Sequence, residues 1–96
     1  HGIRAITRPD DRWDRCEIKA TALLANVLAR QAAREAGAGE ALLLRDGLLT
    51  EASASSVLVV EGGTVLRPPP APAILPGTTS DAVLAILTAL GIPRRD

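Results

Sequence analysis

The chain has 96 residues, 47% of them hydrophobic, which suits one small globular domain, or a piece of a larger one, with enough Leu, Val, Ile and Ala for a core. Eleven acidic residues balance eleven basic ones and Trp13 is the only aromatic side chain, so the basic patch and stacking rings of a nucleic-acid binder are missing. One cysteine, Cys16, excludes an internal disulfide framework and suits a reducing, cytoplasmic compartment, and no apolar run approaches the roughly 18 residues of a membrane span, so no membrane partner is expected.

His1 opens the chain in place of Met, and "GIRAIT" reads as a strand already in progress, so the 96 residues are expected to be part of a longer protein. Ile3 to Thr7 is a short β-type stretch, and Arg8-Pro9-Asp10-Asp11 favours a turn. From about Ala20 to Ala36, Leu23, Leu24, Val27 and Leu28 recur at helical spacing and Ala is abundant, with Gly37 as a stop. "EALLLRDGLLTE" holds two apolar runs about Asp46-Gly47, a strong hairpin signal. Gly62-Gly63 repeats the device between Val57 to Val60 and Thr64 to Leu66. The Pro-rich "PPPAPAILPG" can be neither helix nor central strand, and "TTSDAVLAILTALG" is a second helix ending at Gly91. The order predicts an α+β fold of mixed and antiparallel strands with two helices.

Three constellations could carry chemistry. Lys19 is the only lysine in a chain that otherwise uses arginine for positive charge, and it stands where a strand or loop hands over to a helix. Arginine stays protonated, whereas a lysine partly desolvated by Ile18 and a Leu-rich helix can lose its proton and attack a carbonyl; an ordinary surface lysine is the alternative. In "TEASASS", Glu51 closes a hairpin strand beside hydroxyl residues, which suits a protonated ring nitrogen or else a plain polar turn. In "LPGTTSD", glycine and hydroxyl residues precede a helix, where backbone N–H groups can receive a phosphate or the residues can serve as an N-cap. Together the three match an aldehyde, a pyridine nitrogen and a phosphate, the parts of pyridoxal 5'-phosphate. No metal is expected.

The run "RWDRCEIKATALLANVLARQAAREAGAGEALLLRDGLLTEASASSVLVV", followed by "ILPGTTSD", resembles the class IV (fold type IV) pyridoxal-phosphate aminotransferases, and most closely their D-amino acid transaminase group. The resemblance implies that Lys19 forms the Schiff base and shuttles the proton, that Glu51 pairs with the pyridine nitrogen, and that Gly77, Thr78 and Thr79 bind the phosphate. Leu75 would pack against the cofactor ring, and Ser53 and Ser55 belong to a supporting serine segment. Ala52, Ala54 and Ser56 stand where relatives often carry Gly, Ser and Asn. It further implies that residues 1–96 are part of the C-terminal, cofactor-binding domain of a homodimer, lacking its N-terminal domain and C-terminal tail. The substrates would be a D-amino acid such as D-alanine and a 2-oxo acid such as 2-oxoglutarate. A branched-chain L-amino acid aminotransferase or an aminodeoxychorismate lyase would use the same lysine and glutamate, and a silent fragment that only folds or associates is the remaining alternative.

Overall fold

The computed structural model describes residues 2–19, 21 and 23–96. β1 (Ala5–Pro9) runs parallel to β2 (Glu40–Arg45), and α1 (Leu24–Glu35) makes the crossover between them. β3 (Leu48–Ala52) returns antiparallel on the far side of β2, giving the order β1-β2-β3. A second three-stranded sheet contains the hairpin of β4 (Val59–Glu61) and β5 (Thr64–Leu66). The crossover α2 (Thr78–Ala89) then brings β6 (Arg94–Arg95) parallel to β5. The α+β class, the two helices and the mixed strands expected from the sequence are all present.

Both hairpins turn where the sequence places them. Asp46 and Gly47 adopt φ of 53° and 77°, and Gly62 and Gly63 adopt 56° and 79°. Tight turns between right-twisted strands need this left-handed backbone, which Gly, and Asp more readily than most side chains, can adopt. Other boundaries move. β1 extends through Pro9, so the expected turn starts later; Pro9 is tolerated because β1 is an edge strand, and the ladder resumes as the Asp10 N–H donates to Leu44 O at 2.7 Å. The first helix begins at Leu24, while the proposed start at Ala20 lies outside the described residues. β4 begins at Val59 rather than Val57, and β6, two residues after Pro93, has no periodicity that could announce it.

The apolar stripe that identified α1 is not the face that meets the sheet. Ala29 and Ala33, one turn apart, are buried with Ala38, Ala41 and Leu43, and Ile6 packs against this cluster. Leu23, Leu24, Val27 and Leu28 are exposed. Methyl side chains let the helix lie close on β1 and β2, where leucines would hold it away. Leu84 is the one buried residue of α2.

The β2–β3 ladder is irregular. Leu44 faces Leu49 and Leu42 faces Ala52, which leaves Thr50 and Glu51 together opposite Leu43. Such a bulge breaks the strict alternation of side chains and re-aims the residues within it. Thr50, Glu51 and Ala52 are accordingly buried in succession.

The close α1–sheet contact yields a test. Ala33→Leu is expected to destabilise the intact protein by about 1–3 kcal/mol through overpacking. Ala36→Leu, at an exposed position just past the helix, is expected to stay within about 0.5 kcal/mol of the parent in denaturant unfolding.

Candidate active site

No strand or helix of the first sheet's unit packs against an element of the second among the described residues, so the two halves meet through loops and the Glu51 side chain of β3. Among the described residues three hydrogen bonds cross that seam: Glu17 N–H to Pro72 O at 3.1 Å, Arg12 Nη2 to Ala73 O at 2.7 Å, and Leu75 N–H to Glu51 Oε2 at 3.1 Å. Two of the three involve Arg12 or Glu51, and these two residues are joined to each other, Arg12 Nη1 donating to Glu51 Oε2 at 2.5 Å.

Arg12 is held on several sides. Its Nε and Nη2 donate to the two carboxylate oxygens of Asp10 at 2.8 and 2.7 Å, a bidentate fork. Thr50 Oγ1 donates to Asp10 Oδ2 at 2.8 Å. Burial opposes the charge on Asp10, but the hydrogen bonds from Arg12 and Thr50 outweigh it and hold the carboxyl well below the usual carboxylate range. Burial likewise opposes the Arg12 charge, and Asp10 and Glu51 together hold its pKa above the ordinary arginine value. The bulge in β3 makes this possible, since Thr50 and Glu51, neighbours in a strand, both address the group formed by Asp10 and Arg12.

A cavity of about 390 Å³ opens along the seam and is lined by Lys19, Glu51, Ser53, Ser55, Leu75 and Gly77, with Arg12 and Cys16 also on its wall. Lys19 follows a tight turn closed by the Ile18 N–H on Arg15 O at 3.0 Å and by the Cys16 thiol on Trp13 O at 2.9 Å. The partial desolvation expected for Lys19 is not found: Lys19 is exposed, as are Ile18 and the leucines expected to cover it, Leu23, Leu24 and Leu28. A larger opening of about 450 Å³, walled by Pro68, Pro70, Pro72 and Pro76, shares Glu51, Leu75 and Gly77 but does not reach Lys19. The smaller cavity is therefore the one that joins an amine to a carboxylate.

The serine segment is fixed from below. Glu40 on β2, 9% exposed, accepts from Ser53 Oγ, from the Ser53 N–H at 3.2 Å and from Ser55 Oγ at 3.2 Å, and it also takes the Ala41 N–H at 2.8 Å. Burial disfavours its charge, but Ser53, Ala41, Ser55 and the Arg30 cation outweigh this and lower the pKa. Asn26 Nδ2 donates to Ser53 O at 2.9 Å and ties α1 to the same turn. Gly77 stands where a Cβ would come within 2.9 Å of Ser56 Oγ and 3.4 Å of Ser80 Cβ, so loop and helix approach closely only without a side chain there. It caps α2, whose first helical bond runs from Asp81 N–H to Gly77 O at 3.0 Å; the N–H groups of Thr78, Thr79 and Ser80 precede it without intrahelical partners. Thr78 and Thr79 are exposed, and the cavity meets the helix at Gly77.

Asp10, Arg12, Thr50 and Glu40 are functional candidates that residue type and local spacing do not reveal. Arg12 and Glu51 are 39 positions apart, and no local period reports a contact of that range. The nearest signal was the Asp10-x-Arg12 pair at a strand end, which suits a local fork.

The family description "Amino-transferase class IV" matches residues 2–96. The D-alanine aminotransferase of Bacillus licheniformis is 44% identical over 92 residues, covering 96% of this chain and 32% of that protein. The D-alanine aminotransferase of Listeria monocytogenes is 38% identical over 95 residues, 99% of this chain and 33% of that one. Among solved structures, the branched-chain amino acid aminotransferase of Thermobaculum terrenum in its PLP form superposes with a TM-score of 0.89 at 27% identity, over all of this chain and 34% of that one. The branched-chain aminotransferase of Thermoproteus uzoniensis gives 0.86 at 32% identity, over 98% and 34%. The chain thus spans about a third of the length of the relatives it matches.

The Asp10 environment predicts an acid limb in stability. Its pKa is depressed in the fold, so its contribution is present above the unfolded value of about 4 and is lost as pH falls below it toward the folded-state value. Asp10→Asn is expected to lower the stability of the intact protein by about 3 kcal/mol at pH 7 and to flatten the decline below about pH 4, read by denaturant unfolding across pH.

Proposed function

The chain belongs to the amino-transferase class IV family, and on that premise we propose that the protein carrying it transfers the amino group of a D-amino acid such as D-alanine to a 2-oxo acid such as 2-oxoglutarate, with pyridoxal 5'-phosphate bound through Lys19. The observation that carries this reading is the meeting of Lys19, Glu51, Leu75 and Gly77, from three separate segments, around one cavity. The donor set fits the cofactor: an amine, a carboxylate, an apolar side chain and a helix N-terminus with unpaired N–H groups. Relatives named as D-alanine aminotransferases support the substrate class.

Pyridoxal phosphate, when bound, supplies a carbonyl for an amine and a ring that accepts the electrons released at the substrate Cα. Lys19 Nζ, once free, takes the Cα proton and returns it, and its exposed, turn-anchored position lets a substrate amine reach it. Glu51 offers its carboxylate to the protonated ring nitrogen. Leu75 would pack on the ring, and the backbone N–H groups after Gly77, with the Thr78 and Thr79 hydroxyls, would hold the phosphate. Ser53 and Ser55, fastened to Glu40, shape the wall beside Glu51. Within this reading residues 1–96 are part of the cofactor-binding domain of a cytoplasmic homodimer, and the exposed Leu24, Val27, Leu28 and Val60 are covered in the assembled enzyme. Branched-chain L-amino acid transfer is the second reading, favoured by the superposition on two enzymes named for it. A screen of D-alanine against L-leucine on the intact protein separates the two.

Borohydride treatment of the intact protein is expected to fix pyridoxal phosphate on Lys19, located by peptide mass spectrometry. Lys19→Ala should remove both the label and turnover; labelling elsewhere in these 96 residues would overturn the assignment.

Glu51→Gln keeps the shape but removes the charge that holds the ring nitrogen's proton. Turnover is expected to fall by about 100-fold or more while cofactor affinity changes by less than about tenfold, since the interaction matters most in the transition state. Equal turnover in steady-state assays would remove Glu51 from the mechanism.

A further inference from the structure

An arginine that stands between a buried aspartate and the glutamate on the cavity wall does more than close a seam. We propose that Arg12 is a positioning residue for Glu51, a role that rests on the reading of Glu51 as the partner of the ring nitrogen. The guanidinium fixes Oε2 of Glu51 and leaves Oε1, which takes no hydrogen bond among the described residues, for the cavity that Glu51 lines.

The geometry requires arginine specifically. Nε and Nη2 are taken by Asp10, Nη2 also reaches Ala73 O at 2.7 Å and Thr50 Oγ1 at 3.5 Å, and Nη1 is left for Glu51 at 2.5 Å. One planar group thereby fixes the position of Glu51 relative to β3, the strand-end Asp10 and the loop that carries Leu75. A lysine ammonium has three donors on a flexible stem and cannot make the fork and the reach to Glu51 at once. The side chains of Arg12, Asp10 and Glu51 are 8%, 0% and 10% exposed, so water does not compete for these contacts as it would at a surface. Glu51 also accepts the Leu75 N–H, so the same clamp sets where the residue proposed to pack on the ring lies relative to the carboxylate.

The test is a double-mutant cycle in the intact holoenzyme with Arg12→Lys, Glu51→Gln and the pair, reading kcat, KM, the visible absorption band of bound pyridoxal phosphate and thermal unfolding. Arg12→Lys is expected to lower kcat by about tenfold or more, to change KM by less than about threefold, and to shift the visible band. In the Glu51→Gln background the same substitution should change neither kcat nor the band further, because Arg12 then has no carboxylate to position. Asp10→Asn, which loosens Arg12 while leaving both members of the pair, should show the same dependence on Glu51 and serves if Arg12→Lys does not fold. The proposal is overturned if Arg12→Lys lowers only the unfolding temperature, or if its effect on kcat is the same in both backgrounds. If Glu51→Gln itself leaves kcat and the band unchanged, the underlying role of Glu51 is wrong and the proposal falls with it. A large Glu51→Gln effect beside a silent Arg12→Lys sinks the proposal alone.

Discussion

The contact between Arg12 and Glu51 is the constraint around which the rest of this structure is arranged. A buried ion pair contributes little net stability when compared with an apolar pair of the same volume, but removing one partner leaves an unpaired charge, at a cost of about 3–5 kcal/mol. Asp10 and Thr50 complete the group, so each charge has a counterpart or a hydrogen bond. Three separate stretches of chain must be correctly placed for this to occur: the end of β1, the bulged strand β3 and the Pro-rich loop before α2. The cavity forms where those stretches meet, and the site and the junction between the two sheets are consequently one feature.

The packing shows how little of this architecture is held by a conventional core. The interior cluster is four alanines and Leu43, and larger apolar side chains such as Leu24, Leu48, Val60 and Leu90 lie open to solvent. A domain of this length buries only about two-thirds of its unfolded surface even when well packed, and small side chains contribute little each. Alanine serves close approach here, and close approach places Asn26 of α1 within reach of the serine turn. The outward leucines form a second apolar face on the same helix.

What the sequence disclosed follows from range. The Asp46-Gly47 and Gly62-Gly63 turns were legible because their chemistry is local, two successive residues that tolerate positive φ. Both helices were legible from composition and glycine stops, although the leucine spacing of α1 pointed to the wrong inward face; periodicity finds a helix without saying which of two apolar stripes meets the sheet. Lys19, Glu51 and Gly77 stand out by residue type and order along the chain and Leu75 by the family resemblance, and the fold brings all four to one cavity. Arg12 and Glu40 were not nominated, because their importance lies in partners 39 and 13 positions away. The bulge was invisible for a related reason: it depends on how β2 and β3 align, and a strand read alone has no register.

That bulge also bears on how the gene can change length. Elsewhere the chain has places where an added or lost residue would be absorbed, such as the Pro-rich stretch that belongs to no ladder. Between Leu49 and Ala52 there is no such slack. Loss of one codon there would leave a single residue opposite Leu43 and restore a regular ladder, with Leu49 still opposite Leu44 and Ala52 still opposite Leu42. With one residue where two now stand, the strand could no longer offer both a hydroxyl to Asp10 and a carboxylate to Arg12. Related sequences should accordingly vary in composition along this strand while keeping its residue count, so an alignment gap placed between positions 49 and 52 would mark either an alignment error or a protein that no longer builds this site.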